Sequence, residues 1–134
     1  MEYSNSSPYE EQLRKHVNKI SEGLYDNIKD IIKYPNQISL KILRILIEYA
    51  CLGQNIAPIE LARKKIKEID SGWLNNFIPQ VAQKCICFED EWEYRRLLEL
   101  IEEVAPELLK WAISQGIDST NDEVREASED FKNT

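Results

Sequence analysis

The chain has 134 residues, 43% of them hydrophobic and 31% charged, which suits one folded domain and argues against a disordered chain. Its net charge of −7 is unevenly spread: Glu68 to Thr134 carries 16 acidic against 6 basic residues, whereas Met1 to Lys67 carries 8 acidic against 11 basic. An acidic field of this kind repels nucleic acid and attracts basic proteins.

Taken in chain order, Pro and Gly punctuate helices. Residues 1–7 are read as a flexible N-terminus without the basic and apolar regions of a signal peptide. Ser7-Pro8-Tyr9-Glu10 has the form of a capping box, opening a helix through Leu13, Val17, Ile20, Leu24, Ile28 and Ile31 that ends near Lys33. Ser39 caps a second helix through Leu43, Leu46, Ile47 and Ala50, with Gly53 beyond its end. Its apolar stretch, Leu40 to Leu52, holds Lys41, Arg44 and Glu48 and is too short and too charged to span a bilayer.

Pro58 opens a third helix, burying Ile59, Ala62, Ile66 and Ile69. A fourth runs from Trp73, with Pro79 restarting or kinking it toward Cys85. Asp90-Glu91-Trp92-Glu93 is a second box-like cap, leading into the stripe Tyr94, Leu97, Leu98, Ile101 and Val104. Pro106 starts a helix stopped by Gly116, and a last one turns Val124, Ala127 and Phe131 inward. No segment alternates with period two over a convincing length. The expectation is an all-α single domain over 8–131, a bundle or short repeat-like stack of six to seven helices, with 132–134 as a tail. Leu46 to Gly53 and Leu108 to Gly116 share an aromatic-Ala pair before a terminal Gly, which two helix pairs packed alike could produce.

Motifs that carry chemistry are mostly absent from the sequence. His16 is the one histidine, which excludes two-His metal sites. No phosphate-binding glycine loop and no Gly-x-Ser-x-Gly elbow occurs. Cys85-x-Cys87 with Cys51 and His16 has the ligand count for a zinc site but not the usual two-to-four-residue cysteine spacing, so no metal and no cofactor are expected. His16 reads as a hydrogen-bonded structural residue on the flank of its helix, and the three cysteines read as reduced thiols of a cytoplasmic protein. Arg63-Lys64-Lys65-Lys67 is the only basic cluster. A solvated helix face, or pairing with the acidic half, explains it without nucleic acid.

Part of the acid has a local role. Glu89, Asp90, Glu91 and Glu93 begin one helix, and Asp118, Asp122 and Glu123 precede or begin another, where the positive dipole end favours carboxylates by about 0.3–1 kcal/mol each. Glu126, Glu129 and Asp130 lie near the opposite end of theirs, where acid is unfavourable. At 100° per residue Trp92 falls outside the apolar stripe, on the arc with Arg95, Glu99 and Glu103. An outward Trp among charges has the form of an interface anchor.

The stretches Asp90 to Leu100, Gly116 to Ser119 and Asp122 to Phe131 resemble the C-terminal part of small helical immunity proteins, which neutralise toxins exchanged between competing bacteria. The resemblance covers about a third of the chain. It implies a cytoplasmic, monomeric or weakly dimeric inhibitor without catalysis. Its partner would be a cognate toxin domain, often a basic nuclease, with no nucleic-acid or membrane contact. The expected contact residues are Trp92, Glu99, Glu103, Asp118, Asp122, Glu123, Glu126, Glu129 and Asp130. The alternative is a helical adaptor that holds a helix or peptide of a partner.

Overall fold

Local capping chemistry starts most of the helices in the computed structural model, which describes residues 7–133. The expected N-terminal tail, Ser7 apart, and Thr134 lie outside the described residues. The Ser7 hydroxyl accepts from the Glu10 N–H at 3.0 Å and opens α1 (Pro8–Ile20). Only half of the capping box forms, because the Glu10 carboxylate accepts instead from the Tyr25 hydroxyl at 2.9 Å. Asp70 caps α4 (Ser71–Cys85) through the Trp73 N–H, and Asn121 caps α7 (Asp122–Lys132) through the Glu123 N–H. Asp90 accepts from both Trp92 and Glu93 N–H groups, each at 3.0 Å, and opens α5 (Glu91–Val104).

The long first helix expected to reach Lys33 is two elements. α1 stops at Ser21, and Gly23 takes φ +84°, a left-handed turn that suits glycine. A 3-10 segment, Tyr25–Lys33, follows, kinked at Asn27. Its buried residues Tyr25, Ile28 and Ile31 repeat every three positions, the period of a 3-10 helix rather than an α-helix. That strict threefold spacing, next to a glycine, was the signal for the break.

Ser39 does not cap α2 (Asn36–Ala50). The Pro35 carbonyl already accepts from the Ile38 and Ser39 N–H groups at 2.9 Å, so the helix starts earlier and buries Ser39 inside it. α3 (Ile56–Lys67) begins two residues before Pro58, and α4 continues through Pro79 without restarting. A short 3-10 turn, Pro106–Leu108, leads into α6 (Leu109–Ser114). Every regular element among the described residues is helical, so the protein is all-α with seven α-helices.

Two helices form the centre. α2 packs against α1, α3, α4 and α5, while α5 packs against α3, α6 and α7 as well. One hydrophobic cluster runs through both, from Leu13 and Val17 to Val124 and Ala127. The similar stretches ending in Gly53 and Gly116 are therefore not equivalent units: α2 is a central 15-residue helix, and α6 a peripheral helix of six. Their glycines differ too. Gly53 has φ +61°, whereas Gly116 is needed for space. A Cβ there would lie 2.6 Å from both the Tyr94 ring and the Ser128 Oγ. Gly116→Ala is expected to cost about 1–3 kcal/mol, the range for overpacking, read as a lower urea midpoint with an unchanged slope.

Candidate functional site

The α3–α5 contact decides what half of the charge does. Arg63 on α3 meets the Glu99 carboxylate on α5, and Arg96 donates to the same carboxylate at 2.9 and 3.2 Å. Arg96 also donates to the Gly53 carbonyl at 2.8 Å, and its guanidinium lies 5.3 Å from the centroid of the Trp92 ring. One turn further on, Lys67 meets Glu103 at 3.5 Å. Burial pushes Glu99 up, but the two arginine hydrogen bonds outweigh it and hold the carboxyl below its ordinary range.

The basic cluster of α3 is thus largely spent inside the protein. Lys65 donates to the Tyr25 carbonyl at 2.9 Å and lies 4.1 Å from the centroid of that ring. Glu99 and Glu103 are turned onto α3, and Trp92 is half-buried beneath Arg96. Glu99 and Glu103 are therefore paired with α3 rather than grouped with the acids of α7. Hydrophobic periodicity placed them outside the stripe correctly, but could not reveal that a second helix covers that arc.

The acids of α7 stay together. Asp122, Glu123, Glu126, Glu129 and Asp130 are all exposed, and at 100° per residue they span an arc of about 120° opposite Val124, Ala127 and Ser128. Two guanidiniums touch them. Arg95 on α5 meets Asp130 at 3.1 Å, and Arg125 meets Asp122 while donating to the Ser119 carbonyl. Glu91 on α5 was not among the expected contacts, yet it joins this face. Its carboxyl is held above the ordinary value of 4.5, first by the hydrogen bond it shares with Glu123 and also by the charges of Glu123 and Glu126. The charge of Arg95 acts in the opposite direction. Asp118 is exposed in the loop before α7, whose geometry is set by Ser119 donating to the Glu89 carboxylate at 2.6 Å and by Asn121 donating to the Glu89 carbonyl at 3.0 Å.

The remaining sequence candidates are dispersed. His16 is exposed on α1, its ring edge-on to Tyr49 at 6.3 Å, which corrects the expected hydrogen-bonded role. Cys51 is buried, Cys85 half-buried and Cys87 exposed, all as free thiols. Among the described residues no group of three or more His, Cys, Asp and Glu is placed to hold a metal ion, and no helix is long and apolar enough to cross a membrane. The feature that the arrangement leaves at the surface is the acidic outer face of α7. Comparison of the chain with family models, with characterised proteins and with solved structures returned no match.

Proposed function

We propose that the protein is a non-catalytic binding module whose α7 face docks a basic protein, acting as an immunity protein that neutralises a cognate toxin of nuclease type inside the cell that makes it. One observation carries this reading. On the outer face of α7 and at Glu91 of α5, six carboxylates (Glu91, Asp122, Glu123, Glu126, Glu129 and Asp130) are exposed or half-exposed, against two guanidiniums, Arg95 and Arg125, and the ammonium of Lys132 in the last turn of α7.

Helix design does not require that arrangement. Asp122 and Glu123 gain from the N-terminal dipole, but Glu129 and Asp130 sit in its unfavourable half, and Glu91 against Glu123 is repulsive. A cationic surface relieves all of these at once and is steered to them from a distance. Binding would be stoichiometric and need neither metal nor cofactor. A helical adaptor holding a neutral peptide would leave this charge without a role, which places it second.

Association kinetics against a basic, nuclease-type toxin domain test the reading. Steering is screened over about 8 Å at physiological ionic strength, so the on-rate should fall as salt rises. Reversing Glu123, Glu126 and Glu129 to Lys should lower it about ten-fold at low salt while circular dichroism stays unchanged, since all three are exposed. Equal on-rates for the two proteins would sink the proposal.

A further inference from the structure

On the side of the first turn of α5 away from Glu91, a cleft of about 440 Å³ opens between the ends of α2 and α4. Cys51, Leu52, Cys85 and Ile86 line it with apolar atoms, and Glu48, Asp90 and Glu93 add three carboxylates. Asp90 and Glu93 each give one oxygen to backbone N–H groups, Asp90 at the cap of α5 and Glu93 to Cys87 at 3.1 Å. Their second oxygens remain for an incoming donor.

Counter-charge is thin. Arg44 meets Glu48 through a single 3.4 Å contact between exposed side chains, while Arg63 and Arg96 are engaged by Glu99. Both α2 and α4 end at this cleft, so their last carbonyls and the negative ends of their dipoles add to its field, against the positive end of α5 that Asp90 and Glu93 already face. The thiol of Cys51, 3% exposed, lines the cleft without a hydrogen-bond partner among the described residues. Burial and then the charge of Glu48 push the neighbouring Cys85 thiol up to about 12.

We propose that this cleft receives a lysine side chain of a basic protein partner, with its ammonium among Glu48, Asp90 and Glu93 and its methylenes along Leu52 and Ile86. The separated single carboxylates and the helix-end carbonyls suit a compact ammonium with three donors better than the planar fork of arginine. The volume admits a long side chain together with the backbone that carries it. This inference rests on the reading of the protein as a binder of basic proteins, but it uses carboxylates other than those of α7, so the two fail separately.

The test is a titration of the ¹⁵N-labelled full chain with a blocked tetralysine peptide at low salt, followed by NMR. Amide shifts are expected at Cys51, Leu52, Gly53 and Ile86. They should vanish when the peptide's lysines are acetylated. The double variant Glu48→Gln, Glu93→Gln should bind about five-fold more weakly. Its glutamine amides retain acceptors for the native backbone contacts, and an unchanged spectrum elsewhere confirms the fold. The variant reversed at Glu123, Glu126 and Glu129 should keep the cleft shifts. Shifts confined to α7 would overturn the lysine site while leaving the α7 reading intact. No shifts at all, or undiminished binding by the double variant, would also overturn it. If 1,5-diaminopentane binds as tightly as the peptide, the cleft belongs to a free amine and the protein side chain is the wrong occupant.

Discussion

Tyr94→Ala is expected to be the most destabilising single change in the C-terminal part, at about 3–5 kcal/mol, the cost of removing a large buried aromatic side chain. Tyr94 is fully buried where α5, α6 and α7 meet. Its hydroxyl donates to the Ala112 carbonyl at 2.6 Å and lies 2.7 Å from the Ser128 Oγ. Tyr94→Phe separates the two contributions. It keeps the ring and removes the hydroxyl, while Ser128 still donates to the Ile113 carbonyl at 3.1 Å and the Ala112 carbonyl still accepts from Gln115. A loss of only about 1 kcal/mol is therefore expected. Urea unfolding of both variants checks this, and equal losses would mean that the hydroxyl rather than the ring holds the three helices together. Because α7 carries the proposed docking face, Tyr94→Ala should also weaken partner binding without altering a single surface charge.

Glu99→Ala is expected to cost about 2–3 kcal/mol. Removing one partner of a fully buried ion pair costs about 3–5 kcal/mol. Here the side chains are 20% (Arg63), 14% (Arg96) and 27% (Glu99) exposed, so water screens part of the effect. Arg63 and Arg96 would be left facing each other with no anion between them. Arg63→Met together with Glu99→Leu should recover part of the loss, since well-packed apolar groups can replace a buried pair. The pH dependence has a definite sign. The folded-state pKa of Glu99 lies below 4.5, so its contribution is complete above that value and is lost as pH falls through the lower folded-state value. Denaturation of wild type and Glu99→Ala should therefore differ at neutral pH and converge in acid. If Glu99 instead contacts the partner, the variant would keep its stability and lose association rate.

These two residues mark what could be read along the chain. Tyr94 was legible as a core residue because its stripe repeats at helical spacing within one element, and hydrophobic burial follows that period wherever the helix packs. Glu99 looked solvent-facing by the same rule. What covers it is α3, 36 residues earlier in the chain, and no local pattern encodes that crossing.

By itself the sequence determined the all-α class, the caps at Ser7 and Asp90, the inward faces of α5 and α7, and the outward acid of α7. Each of these depends on residues within about one or two helical turns of one another, where backbone geometry is nearly fixed. Only the tertiary structure decided that Arg63 and Lys67 spend their charge on Glu99 and Glu103, and that Glu91 lies within the field of Glu123 and Glu126. It also decided that the ends of α2 and α4 meet the start of α5 around an acidic cleft. Coulombic and hydrogen-bond energies depend on distance in space, and only packing around α2 and α5 brings these groups within reach of one another.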